Sequence, residues 1–134
     1  MSEHEPGQVE FDRLMAEVTA SPGRFGHREH LNLTWLAVRQ YGMPGAISFV
    51  SEGIKTTARY ANAPQKYHAT ISRAWVELVY KHEHERVSDD FDEFIARNPA
   101  LLDKGLLMHF YTSATLASSR ARTEWVEPDV APLP

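Results

Sequence analysis

Residues 27–41, which read HREHLNLTWLAVRQY, decide the fold class of this 134-residue chain. Two histidines, His27 and His30, open the stretch, and the apolar residues after them point in nearly all directions around a helix: Leu31, Leu33, Trp35, Leu36, Ala37 and Val38. A helix that is apolar on almost every side needs neighbours on several faces, so it belongs in the middle of a helical bundle. This central helix brings both histidines into the interior.

Turn-forming residues divide the rest of the chain into further helical segments. These turns lie at 21–23 (SPG), 42–45 (GMPG), 62–64 (NAP) and 98–99 (NP). The segments with helical apolar periodicity cover residues 8–20, 44–61, 65–84, 90–97 and 101–111, with a short last helix over 118–125. The sequence shows no alternating strand pattern and no repeat. The predicted fold class is therefore all-α, a single-domain helical bundle of about five to six helices.

The two ends of the chain are predicted to lie outside this bundle. Residues 1–7 are polar and contain a Pro-Gly pair, which predicts a disordered leader. Residues 8–125 form the predicted bundle domain. Residues 126–134, VEPDVAPLP, hold too many prolines for a helix or a sheet interior, so we expect an extended C-terminal tail, either packed along the surface or loose.

Composition excludes several classes of site and partner. The chain has no cysteine, which rules out thiolate metal ligands, disulfides and a cysteine nucleophile. Its formal net charge of −4, without a cluster of lysine and arginine, argues against a nucleic-acid partner. No apolar run approaches the roughly 20 residues that span a bilayer, and no signal peptide is visible, so we expect no membrane contact and a cytoplasmic location. Seven histidines point instead to metal or proton chemistry.

An antiparallel arrangement of consecutive helices brings three of these histidines to one end of the bundle. Short loops favour antiparallel neighbours, so the starts of the second and fourth helices lie beside the end of the third. His27 and His30 share a helix face and differ by about 4.5 Å in axial height. His68 is expected at the same level, on the buried face of the fourth helix. Asp103 returns to this end later in the chain.

Three imidazoles at one level predict an open metal site. His27, His30 and His68 would be ligands, and Asp103 would be a fourth ligand or an acceptor that orients one ring. Zinc, iron, copper or nickel suits this ligand set, and any catalysis would then be metal-assisted. Without a metal, the histidines would serve as a general acid/base set. The spacing matches no specific signature such as HExxH.

Other polar residues are predicted near the same end. Arg59, Tyr60 and Tyr67 are the candidates for binding a small-molecule substrate. The cations predicted at this level are Arg28, Arg59, Lys66 and Arg73. They can hold a carboxylate or phosphate, but the favoured interpretation is that they form ion pairs with Glu29 and Glu77. No Gly-rich phosphate loop, Gly-x-Ser-x-Gly elbow or carboxylate pair is present, which disfavours nucleotide hydrolysis, serine-hydrolase and glycosidase chemistry.

Two alternatives remain open at this point. The histidines can be neutral core residues, in which case the bundle is a non-enzymatic interaction module that binds a partner protein or forms a homodimer. An exposed patch of aromatic residues would then mark the interface. The protein can also be a pH-responsive element, because buried histidines become charged between about pH 5 and 7.

Three blocks of the sequence resemble those of small bacterial all-helical proteins. They are FGHREHLNLTWLAVRQYG at 25–42, KYHATISRAW at 66–75 and LLDKGLLMHFYTSATLASSRARTEWVEPD at 101–129. The resemblance covers most of the chain from Phe25 to Asp129 and carries the F-x-H-R-x-H-L and K-Y-H-x-T-I motifs. It implies a single compact helical domain and transfers no activity, cofactor or site residue.

Overall fold

The computed structural model describes residues 6–19 and 25–134. All regular structure in these ranges is helical, which confirms the all-α class. The α-helices are α1 (Pro6–Val18), α2 (His27–Tyr60), α3 (Ala69–Glu85), α4 (Phe91–Arg97), α5 (Ser113–Ala117) and α6 (Ser119–Thr123). Three 3-10 turns cover Pro64–Lys66, Pro99–Leu102 and Lys104–His109. No described helix is both long and apolar enough to cross a membrane.

The long helix α2 consists of two arms folded back on each other. Gly42 between them adopts φ 75° and ψ −175°, a conformation that is open to glycine and closed to most other residues. Ala58 and Ala61 consequently line the same cavity as His30, although a straight helix would hold residues 30 and 58 about 42 Å apart. The position of the turn predicted at 42–45 is confirmed, and Gly42 is the one residue within α2 whose φ and ψ are not helical.

The first arm of α2 is the central helix that its composition predicts. Its residues that are at most 6% exposed include Leu31, Leu33, Trp35, Ala37 and Val38. This arm packs on α3, where Trp75, Val76, Leu78 and Val79 are buried in the same core. The helix begins at His27 because the Glu29 carboxylate accepts a hydrogen bond from the Gly26 N–H at 2.7 Å, which satisfies a free donor of the first turn.

Helix α1 covers the back of the hairpin formed by the two arms of α2. Its apolar residues Phe11, Leu14 and Val18 are buried and pack with Leu33, while Met15 is partly buried beside them. The helix starts at Pro6, so Pro6 and Gly7 of the predicted leader are helical. Residues 1–5 of that leader and the predicted stop at 21–23 lie outside the described residues.

The second half of the chain departs from the predicted helix boundaries. Residues 101–111 are not an α-helix, because the Asp103 carboxylate accepts the Gly105 N–H at 2.8 Å and starts a separate 3-10 turn there. The helix α4 is capped by Asp90, whose carboxylate accepts the Glu93 N–H at 2.8 Å. The last predicted helix shortens to α6, and α5 precedes it.

Residues 126–134 form no helix or strand and contact the bundle at several points. The Tyr111 hydroxyl donates to the Val126 carbonyl oxygen at 2.7 Å, and the Val130 N–H donates to the Phe110 carbonyl oxygen at 2.9 Å. The Asp129 carboxylate accepts from the Thr112 hydroxyl at 2.7 Å. These bonds hold the C-terminal residues against the segment that follows the third 3-10 turn.

Candidate functional site

The beginnings of α2 and α3 and the end of the second arm of α2 meet at one end of the bundle. His30, Ala61 and His68 line one cavity there, and His27 and His30 line a second one. The antiparallel arrangement inferred from loop lengths therefore holds at this end. It brings His30 together with each of the other two predicted histidines.

His68 is a helix cap and does not belong to the buried stripe of a longer helix. The turn Pro64–Lys66 ends before it, and α3 begins at Ala69. Its Nδ1 accepts the Ile71 N–H at 3.1 Å, so Nε2 carries the proton and donates to the Leu116 carbonyl oxygen at 2.7 Å. Both ring nitrogens are thus occupied by backbone groups. The prediction that placed His68 on a helix face is wrong, because a side chain that caps a helix must precede its first turn.

His27 is held by the loop that follows α4. Its Nε2 lies 2.7 Å from the Leu101 carbonyl oxygen and donates to it, while its ring packs edge-on against Trp75 at 4.6 Å between centroids. Burial lowers the pKa of His27, and the positive charge of Lys104 adds to this effect. The ring of His27 therefore packs from the first residue of α2 against α3.

His30 differs from the other two histidines. No group in the described residues forms a hydrogen bond with its ring nitrogens. Its hydrogen bonds come from the backbone: the N–H donates to the Gly26 carbonyl oxygen at 3.0 Å, and the carbonyl oxygen accepts from the Thr34 hydroxyl at 2.8 Å. Burial, with a smaller contribution from nearby His27, lowers the pKa of His30 to about 4. At neutral pH the ring is uncharged, and it offers one donor and one acceptor.

The predicted metal ligands do not form a preassembled site. Within residues 6–19 and 25–134, no three histidine, aspartate or glutamate side chains are grouped so that they could hold a metal ion. Asp103 is exposed and caps its own 3-10 turn, and its charge acts on His27 only as a small effect on the pKa. The ligand set His27, His30, His68 and Asp103 stays a prediction.

Two cavities adjoin at His30. The first, which we call the Trp75 cavity, has a volume of about 580 Å³. The residues that line it and not the second cavity include Trp75, Lys104, Leu107 and Leu116. The second, the Ser72 cavity, has a volume of about 460 Å³ and includes Met15, Ile54, His68 and Ser72. Four residues line both cavities: Phe25, His30, Lys66 and Ile71.

The charged side chains that line these cavities are lysines. Lys66 lines both cavities and Lys104 lines the Trp75 cavity, whereas no aspartate or glutamate among the described residues lines either. Neither lysine belongs to an ion pair with another described residue, in contrast to Arg73, which pairs with Glu77 at 2.7 Å as predicted. Arg28 pairs with Asp92 at 2.7 Å and not with the predicted Glu29. Lys66 and Lys104 are therefore available to pair with an anionic group of a ligand.

Ser72 carries an unsatisfied polar atom in the wall of the cavity that bears its name. The residue is 6% exposed, and its hydroxyl has no hydrogen-bond partner in the part of the chain that the structure describes. Thr70, two residues earlier and fully buried, donates its hydroxyl to the Glu124 carbonyl oxygen at 2.8 Å. A buried hydroxyl without a partner costs about 1–3 kcal/mol, so Ser72 is an unexplained group at this site.

The residues predicted to bind a substrate do not line the two cavities at His30. Arg59 is exposed, and Tyr60, which is 77% exposed, lines a separate cavity together with Tyr41 and Phe49. Tyr67 is half-buried, which raises the pKa of its hydroxyl, but it lines neither of the two cavities at His30. None of these three residues lines the cavities at His30, and their role in substrate binding stays a prediction.

Sequence reasoning missed several residues of the site. Ser72 interrupts the apolar face of α3 one turn after His68, and a serine in such a stripe is a readable signal. Lys104, Leu107 and Leu116 come from 3-10 and short helical segments without strong periodicity, so nothing in the sequence linked them to His30.

In comparisons with known proteins, no protein family, no curated protein and no solved structure matches the chain. The fold and the site by themselves define a class: a small all-α domain with two adjoining, largely apolar cavities at one end and a neutral histidine between them.

Proposed function

We propose that the protein binds a small, mainly apolar molecule in the Trp75 and Ser72 cavities, with His30 as the polar group that orients it. The observation that carries this proposal is the ring of His30, which faces both cavities without a hydrogen-bond partner in the described chain. A core histidine of purely structural function would use its nitrogens as His68 does.

The size and lining of the cavities support a ligand. Small-molecule sites usually enclose about 300–1,000 Å³ and combine apolar walls with a few polar groups. The volumes of about 580 and 460 Å³ fall in this range. Trp75, Ile71 and Leu116 supply apolar surface, while His30, Ser72 and Lys66 supply the polar groups.

A metal-based function would use the same end of the bundle in another way. Coordination by His68 requires it to give up the cap of α3 or the bond to Leu116, each worth about 1 kcal/mol. His27 would keep only Nδ1 free. Binding through hydrogen bonds at His30 needs neither change, so we favour it over the three-histidine metal site.

The test uses the neutral fluorescent probe N-phenyl-1-naphthylamine. We expect saturable binding of one probe per chain. Ile71→Trp fills space in both cavities and should weaken binding by about tenfold or more, while Leu102→Trp, an exposed control 42% accessible in the parent, should leave it unchanged. Circular dichroism reports whether each variant is folded.

Two further measurements keep the test decisive. Ser72→Leu fills only the Ser72 cavity and serves if Ile71→Trp does not fold. Probe binding that is absent in the parent, or equal in all folded variants, would contradict the proposal. One Zn²⁺ per chain in equilibrium dialysis, lost in His30→Ala, would support the metal site in its place.

A further inference from the structure

We infer that the ligand is an amphipathic carboxylate whose head group binds in the Ser72 cavity, between Lys66, His30 and Ser72. This inference rests on the proposed function and adds the chemical class of the ligand. All three residues line that cavity, and each offers the carboxylate a different contribution.

Charge complementarity is the first argument. Lys66 is the residue of the Ser72 cavity that carries a full charge, and it has no carboxylate partner among the described residues. The nearby Trp75 cavity adds Lys104, and no described residue of its wall is acidic. A ligand cation would find no carboxylate among the described residues of these walls, whereas an anion gains a charge-assisted hydrogen bond from Lys66.

Unsatisfied donors are the second argument, and it is independent of charge. The buried Ser72 hydroxyl has no acceptor in the described chain, and the neutral His30 ring has one N–H to donate. A carboxylate accepts several hydrogen bonds through its two oxygens. Bound at this position, it would satisfy the His30 N–H, and a rotation of the Ser72 side chain about χ1 would bring its buried hydroxyl to the same carboxylate and remove the cost of leaving it unpaired.

The apolar walls determine the rest of the ligand. Met15, Ile54 and Ile71 lie in the same cavity as the three polar groups, so a ligand must cover apolar surface as well as its charge. A carboxylate on an apolar body fits these walls better than inorganic phosphate, which has no apolar part and needs more donors than the cavity offers.

The experiment compares two ligands that differ only in the head group. Decanoate and 1-decanol are used below their aggregation limits at pH 8 to displace N-phenyl-1-naphthylamine from the parent protein. We expect decanoate to bind at least about tenfold more tightly than decanol, the size of one charge-assisted hydrogen bond. Added salt should reduce the preference for decanoate, because Lys66 is exposed and its charge is screened.

Three variants locate the head group. Lys66→Met keeps an apolar stem and should reduce decanoate affinity by about tenfold while decanol changes less than about twofold. Ser72→Ala should weaken decanoate by a smaller factor. Lys55→Met, an exposed lysine outside both cavities, is the matched control and should change neither ligand.

The outcomes separate this inference from the proposal on which it rests. Equal affinity for decanoate and decanol overturns the carboxylate and leaves a binding site for apolar molecules. A preference for decanoate that survives in both Lys66→Met and Ser72→Ala also overturns it, because the head group then lies elsewhere. If the neutral probe itself fails to bind, the proposed function is the part that has failed.

Discussion

The ring of His68 joins the first turn of α3 to the end of α5, with its Nε2 2.7 Å from the Leu116 carbonyl oxygen. His68 lines the Ser72 cavity and Leu116 lines the Trp75 cavity, so this bond ties together walls of both. His68, one of the three histidines predicted as metal ligands, is thus a structural support of the candidate site.

Replacing His68 with alanine should therefore destabilise the fold. The substitution removes a helix cap and a tertiary hydrogen bond, and we expect the free energy of unfolding to fall by about 2 kcal/mol. His68→Asn keeps a capping side chain and should lose about half as much. Urea unfolding followed by circular dichroism measures both, and an unchanged midpoint for His68→Ala would disprove the structural role.

His30 should make the protein sensitive to acid. In the folded state its pKa is about 4, whereas in the unfolded chain it is about 6.5. Its contribution to stability is fully present above pH 6.5 and is lost as the pH falls towards 4, because only the unfolded chain takes up the proton. His27, whose pKa is also lowered, acts in the same direction.

The measurement compares His30→Gln with the parent, so that all other titrating groups cancel. Between pH 7 and pH 4.5 we expect the parent to lose about 2–3 kcal/mol more than the variant. Unfolding curves in urea at several pH values give this difference. Parallel pH profiles for the two proteins would show that His30 is not held neutral in the folded state.

The contact of α1 with α2 depends on a glycine. A Cβ placed on Gly53 would lie 2.0 Å from Cδ1 of Phe11, so the ring occupies the space that any side chain at 53 would need. Gly53→Ala should cost about 1–3 kcal/mol through overpacking. Gly7→Ala is the control, since nothing lies within 4 Å of its Cβ position.

A second substitution tests whether the Phe11 ring is the cause. Phe11→Leu shortens the side chain, and combined with Gly53→Ala it should cost less than the sum of the two single changes. Thermal unfolding of the four proteins gives the coupling. Strict additivity would mean that the loss in Gly53→Ala arises from another contact.

We expect the stability of the fold to depend on the buried side chain of Glu83 as a hydrogen-bond acceptor and not on its negative charge. Glu83 is 6% exposed, and its Oε1 accepts from the Trp35 indole N–H at 3.0 Å and from the Ser88 N–H at 3.3 Å. Glu83→Ala leaves both donors unsatisfied and should cost about 2–4 kcal/mol. Glu83→Gln keeps an acceptor oxygen and should cost clearly less. Chemical unfolding with tryptophan fluorescence distinguishes them, and equal losses would contradict this account.

Much of the fold followed from local patterns. The all-round apolar composition of residues 27–41 predicted the central helix, and the apolar periodicity of residues 8–20 predicted helix α1. Boundaries failed where a single side chain captured a backbone N–H, as His68 does for Ile71 and Asp103 does for Gly105. Such captures depend on one rotamer, and periodicity does not report them.

The sequence by itself determined the helical class, the central position of the helix that begins at His27, and the meeting of His30 and His68 at one end. These follow from apolar periodicity and short loops, which are local properties of the chain. Only the tertiary structure decided which polar groups have partners. Leu101 and Leu116 supply acceptors to His27 and His68 from 74 and 48 residues away, and no such group reaches the ring of His30 within the described residues.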